Sequence, residues 1–126
     1  SESCAWIERA LNDTRKSVPS IRHTHAVILF NANINKEDTH YNKEKLEEAI
    51  SVIKDCYKYD KRKLYHAKTF ADFSIKYYQK YPNNNAVEYL KEARKWTNEE
   101  EKSSPWSRDL RYWQRKINRF CADIGI

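Results

Sequence analysis

The chain has 126 residues, of which 40% are hydrophobic and 33% are charged, and its formal net charge is +6. One domain is the expectation for this length, and an aromatic share of 13% argues against a disordered chain. One glycine and three prolines are too few for the turns of a β protein, and no apolar run approaches the roughly 18 residues of a membrane span. The composition therefore predicts a soluble, cytoplasmic, all-α protein.

Hydrophobic residues recur every three to four positions along most of the chain, which is the period of an amphipathic helix. They predict six helices, over residues 3–16, 19–34, 43–59, 61–81, 86–101 and 105–122. The run from Ala26 to Phe30 is the most apolar, so the second helix is expected at the centre of the fold. A buried strand is the weaker interpretation of that run, because no second strand is available to pair with it. The predicted architecture is a set of antiparallel helical hairpins, stacked as a repeat array or closed into a compact bundle.

Capping residues predict where the last two helices begin. Asn85 followed by Glu88 resembles a capping box for the fifth helix, and Ser104 followed by Pro105 predicts a cap with proline at the first helical position. In the sixth helix, apolar residues alternate in steps of four and three, which predicts a seam against a neighbouring helix with Trp96 in contact. The predicted seam consists of Trp106, Leu110, Trp113, Ile117 and Phe120.

A short internal repeat leads to a family resemblance. Residues 22–30 and 62–70 share a basic start, a His-Ala pair and a phenylalanine about 40 residues apart, and periods of 20–50 residues are typical of helical repeats. With these, residues 21–26 (IRHTHA), 65–71 (YHAKTFA) and 89–96 (YLKEARKW) resemble a tetratricopeptide-type array of helical hairpins, especially those in large bacterial signal-transduction ATPases of the antiphage, NOD-like class. The Trp-x-x-Leu-Gly-x-x-Tyr half of the standard repeat is missing. The resemblance implies a module that recognises a ligand protein or packs against an ATPase core.

Two histidines are the candidates for chemistry. His25 and His66 both precede alanine in the repeat, and neither has a second metal ligand one turn away, so helix-packing histidines are the preferred interpretation. Arg62 and His66 resemble the Arg-x(4–6)-His signature of HEPN-type ribonucleases, in which that pair cleaves RNA without a metal. Here only three residues separate them. The expectation is a protein without a catalytic site.

The three cysteines do not form a ligand pattern. They are odd in number, far apart in sequence and without a CxxC spacing, so we expect reduced thiols, no bound metal and no cofactor. They are Cys4, Cys56 and Cys121.

Charge is the strongest indication of a partner. Four arginines of the sixth helix follow a three-to-four spacing and form one line, the arginine stripe, which consists of Arg108, Arg111, Arg115 and Arg119. A guanidinium group pairs in bidentate fashion with carboxylate or phosphate. The stripe is interpreted as a solvated surface, a contact for an acidic protein or a contact for nucleic acid. The rival interpretation is burial against a neighbouring element, with acids such as those at Glu99 to Glu101 as partners.

Because the sequence starts at Ser1 and contains no methionine, we expect it to be a piece of a longer protein. The predicted function is a non-catalytic protein-interaction or scaffold module of a larger bacterial signalling or defence protein. Its expected partner is another protein or the rest of its own parent chain, with no membrane contact. A basic nucleic-acid-binding helical domain is the first alternative, and a HEPN-like ribonuclease is the second.

Overall fold

The computed structural model describes residues 19–61 and 63–126. Within these ranges all regular structure is helical: α1 (Pro19–Ile34), α2 (His40–Tyr59), α3 (Lys63–Lys80), α4 (Asn84–Ser103) and α5 (Arg108–Asp123). The all-α class and five of the six predicted helices are confirmed, and the first predicted helix, over 3–16, lies outside the described residues. The chain divides into two compact units, Ser1–Lys61 and Arg62–Ile126. No described helix is both long and apolar enough to cross a lipid bilayer.

In the first unit, α1 and α2 pack as an antiparallel hairpin. The thiol of Cys56, near the end of α2, lies 3.6 Å from the carbonyl oxygen of Pro19 at the start of α1. The apolar run predicted for the centre is helical, which excludes the strand interpretation. It buries Leu29 and Phe30 but leaves Ile28 40% exposed, and α1 is one of the two helices of the hairpin.

The second unit is a three-helix arrangement in which α4 packs against both α3 and α5. Small residues on the facing sides, such as Ala67, Ala71 and Ala93, are fully buried and let the helix backbones approach closely. Aromatic rings fill the space between α3 and α4: the ring centroid of Phe70 lies 4.6 Å from that of Trp96, and those of Tyr77 and Tyr89 are 5.5 Å apart. Aromatic pairs at these separations add to the free energy gained by burial.

The last two helices begin at caps other than those predicted. Asn83, not Asn85, caps α4, since its side-chain oxygen accepts a hydrogen bond from the amide of Ala86 at 2.9 Å. Ser107, not Ser104, caps α5 by accepting from the amide of Leu110 at 3.2 Å. Ser104 instead ends α4, because its own backbone amide donates to Glu100. The chain needs the intervening residues to reverse direction, so α5 begins three residues later than the proline suggested.

Candidate interaction surface

The last helix, α5, has a buried side and a charged side. Leu110, Ile117 and Cys121 are fully buried, and their spacing of seven and four residues places them on one line along the helix. At about 100° per residue, the direction of Ile117 is about 180° from that of Arg108. The arginine stripe therefore lies on the side of α5 opposite the packed side.

The buried side of α5 differs from the predicted seam. Leu110 and Ile117 are buried as predicted, but Trp106 precedes the helix and is 73% exposed, which contradicts its predicted place in the seam. Trp113 is only half-buried, and the rings of Phe120 and of Tyr78 in α3 meet edge to face with centroids 5.6 Å apart. The late start of α5 removes Trp106 from the helix, and Cys121 occupies the position that completes the buried line.

Polar contacts that hydrophobic spacing does not indicate set the rotation of α5. The side-chain oxygen of Asn98 in α4 accepts hydrogen bonds from the amides of Gln114 at 3.0 Å and Asn118 at 3.2 Å. At the other end, the ammonium group of Lys68 in α3 pairs with Asp109 in the first turn of α5. The spacing of Gln114 and Asn118, four residues apart on a helix, was the available signal. These contacts hold the arginine stripe outward.

The exposed side of α5 carries a groove between two rows of side chains. Arg108, Tyr112 and Lys116 form one row at intervals of four residues, and Arg111, Arg115 and Arg119 form the second row. Together the two rows line an open groove of about 570 Å³, the α5 groove. Arg111 is half-buried and the other three arginines are exposed.

Within the part of the chain that the structure describes, no acidic side chain pairs with the arginine stripe. Of the two acidic side chains of α5, Asp109 pairs with Lys68, and Asp123, one turn after Arg119, forms no ion pair with the stripe. Glu99, Glu100 and Glu101 of α4 form no ion pair with these arginines. Five positive charges, those of the stripe and of Lys116, thus line the groove without a described counter-charge. Such a concentration of one sign attracts anionic partners.

Aromatic rings adjoin the groove and are held in place by a cation. The rings of Tyr112 and Trp113 meet edge to face with centroids 5.4 Å apart. The ammonium nitrogen of Lys116 lies 4.9 Å from the ring centroid of Trp113 and 5.7 Å from that of Tyr112. Cation–π contacts of this kind stabilise both ring and cation positions. Tyr112, which is 56% exposed, therefore presents an apolar surface inside a basic groove.

The candidates for chemistry do not form a site among the described residues. His66 is fully buried in α3, beside the ring of Tyr65 at 5.7 Å, whereas His25 is half-buried in α1. Arg62 lies outside the described residues. Within residues 19–61 and 63–126, no three His, Cys, Asp or Glu side chains are placed to share a metal ion.

The two described cysteines are free and buried. Burial raises the pKa of the Cys56 thiol, opposed by the nearby positive charge of Arg22. Burial likewise raises the pKa of the Cys121 thiol, opposed by Arg94. Both thiols are therefore protonated at neutral pH and weakly nucleophilic. Cys4 lies outside the described residues.

Comparison with known proteins gives no relative from which a role could be transferred: no protein-family model, no curated protein and no solved structure matches this chain.

Proposed function

We propose that this chain is a non-catalytic interaction module that binds an acidic protein through the α5 groove. In this proposal the helical hairpins form a tetratricopeptide-like array within a larger bacterial signalling or defence protein. The observation that carries the proposal is the α5 groove itself, in which five cations without a described counter-charge surround an exposed tyrosine.

Electrostatics supports an anionic partner. Arg111, Arg115 and Arg119 follow one another at intervals of four residues, and like charges at this spacing destabilise a helix by about 0.2–0.5 kcal/mol per pair. An acidic partner would replace this repulsion with attraction. The choice of arginine supports a protein partner, because arginine and tyrosine are enriched among the residues that dominate protein–protein binding energies.

Nucleic acid is the second candidate, because phosphates are attracted by the same five cations. Lys116 lies over the rings of both Tyr112 and Trp113, and so covers part of the ring surface on which a nucleobase would stack. The ribonuclease alternative receives no support from His66, because a fully buried imidazole has no access to an RNA phosphate.

A direct binding measurement tests the proposal. An unstructured glutamate-rich peptide is titrated into the protein at low and at moderate salt, and the affinity is measured by calorimetry. We expect Arg111→Glu/Arg115→Glu to weaken binding by about tenfold or more, because two attractive contacts become repulsive. The matched control is Lys95→Glu/Lys102→Glu, which changes two exposed lysines of α4 and alters net charge equally.

Two results would contradict the proposal. Equal losses in the groove variant and the α4 variant would show that net charge, and not the groove, determines binding. An Arg111→Glu/Arg115→Glu protein without a cooperative unfolding transition would assign the stripe a structural role.

A further inference from the structure

The α5 groove has the geometry of a helix-packing groove. In helix packing, side chains four residues apart form ridges, and the space between two such ridges accepts a ridge of a second helix. The row of Arg108, Tyr112 and Lys116 and the row of Arg111, Arg115 and Arg119 are two adjacent ridges of this type. The groove between them therefore runs obliquely across α5 and not along its axis.

We infer that the acidic partner enters the α5 groove as an α-helix. This inference rests on the proposed function and specifies the form of its partner. The helix places small apolar residues, four apart, in the groove against Tyr112, and its two flanking rows carry carboxylates that pair with the arginines on either side. Packing of one such ridge between two others gives helix axes that cross at about −50°.

The spacing of charges along α5 agrees with a helical occupant. Steps of four residues from Arg111 to Arg115 and on to Arg119 each advance about 6 Å along the axis. Carboxylates four residues apart on a second helix advance by the same distance, so successive ion pairs form without distortion of either chain. At a crossing angle of about −50° the ridges of the two helices run parallel, so this match holds along the row from Arg111 to Arg119, which is about 12 Å of axial rise.

The centre of the groove supplies the apolar contact that a packed helix needs. Tyr112 is the middle residue of its row, and its ring is held against Trp113 and beneath Lys116. An apolar centre surrounded by charged groups is the usual arrangement of a protein interface.

Three probe peptides of about 18 residues separate these cases. The first is a capped helical peptide of alanine, leucine, glutamine and glutamate, with an apolar ridge every fourth residue and glutamates on both flanking rows. The second has the same composition and net charge, with the glutamates distributed around the helix. The third is the first peptide with two central prolines, which prevent the helix.

We expect the first peptide to bind about tenfold more tightly than either control. Tyr112→Ala should remove most of that advantage, whereas Tyr112→Phe, which keeps the ring, should retain it. Arg111→Glu/Arg115→Glu should weaken all three peptides, because every one of them carries the same negative charge. Circular dichroism of each variant alone establishes that it is folded.

Several results overturn the inference. If the proline peptide or the unstructured glutamate-rich peptide binds as tightly as the helical one, the helix is wrong while the acidic-protein function stands. If no acidic peptide binds, both are wrong. Tighter binding of a single-stranded oligonucleotide, with a steep salt dependence, would replace the protein partner with nucleic acid. Self-association that competes with the peptide would identify a second copy of this chain as the occupant.

Discussion

Truncation of Ile117 tests how α5 is attached to the second unit. Ile117 is fully buried in the middle of the packed side of α5, between Leu110 and Cys121. Ile117→Ala removes three carbons from this position, and losses of this kind cost about 2–5 kcal/mol, depending on how far the site collapses. Trp106 is the matched control, because the sequence placed it in the same seam but its ring is 73% exposed. Trp106→Ala should change the free energy of unfolding by about 0.5 kcal/mol or less.

Urea unfolding followed by tryptophan fluorescence measures both variants. Three of the four tryptophans, Trp96, Trp106 and Trp113, belong to the second unit, so most of the signal reports on the unit that contains α5. We expect a large decrease in the transition midpoint for Ile117→Ala and almost none for Trp106→Ala, with circular dichroism as the check that helix content is retained. The reverse order of effects would show that α5 packs by the predicted tryptophan seam, and would place the arginine stripe on a different side.

Three further predictions concern the surroundings of α5. Ser107→Ala should cost about 1 kcal/mol of stability through loss of the helix cap, whereas Ser104→Ala should cost little because Ser104 ends α4 by its backbone amide; equal effects in thermal unfolding would contradict this assignment. Asn98→Ala should cost about 1–2 kcal/mol, because it removes the oxygen that accepts two hydrogen bonds from α5, and Asn98→Asp, which keeps an acceptor, should cost less. Native Cys56 and Cys121 should react slowly with iodoacetamide near neutral pH, since burial raises the pKa of both thiols, and rapidly after unfolding; fast alkylation of either residue in the native protein, located by peptide mass spectrometry, would show that it is accessible. The raised pKa values also predict how stability depends on pH. The folded protein holds the thiol protons to higher pH than the unfolded chain does, so the contribution of these thiols to the free energy of unfolding is present below the ordinary thiol pKa and is lost as the pH rises through the raised values.

Local sequence signals predict where a helix begins when only one such signal is present. α1 is helical from the first described residue, Pro19, and proline suits a first helical turn because it fixes a helical φ and lacks the amide hydrogen that a first-turn residue leaves unpaired. Near α5, Ser104 and Ser107 are both good caps, and local rules do not choose between them. The choice depends on how many residues the chain needs to reverse from α4 to α5, which is a property of the packed unit.

The orientation of α5 was predictable only in part. The spacing of Leu110 and Ile117 correctly predicted that both lie on the buried side of α5. Trp113 and Phe120 were predicted in the buried seam but are only half-buried. The rotation of α5 depends on the hydrogen bond from Gln114 to Asn98 of α4, which hydrophobic spacing does not indicate. The α5 groove was not predicted. Tyr112 was not identified from the sequence, because the role of its ring depends on two rows of side chains that become adjacent only in the folded helix.

Replacement of Arg115 alone separates the stability of α5 from its proposed function. Arg115 lies in the middle of its row, four residues from Arg111 and from Arg119, and both of these neighbours repel it. Arg115→Glu converts two repulsive pairs into two attractive ones, so we expect the free energy of unfolding to rise by about 1 kcal/mol at low salt.

The same substitution should weaken binding of the helical acidic peptide by about tenfold, because it places a carboxylate at the centre of the groove. Arg115→Gln, which removes the charge without reversing it, should have intermediate effects on both quantities. A variant that is more stable and binds less well is the expected behaviour of a surface on which function and stability conflict. Loss of stability in Arg115→Glu would instead mean that the guanidinium group contributes to the folded chain, and the free groove on which the proposal rests would be wrong.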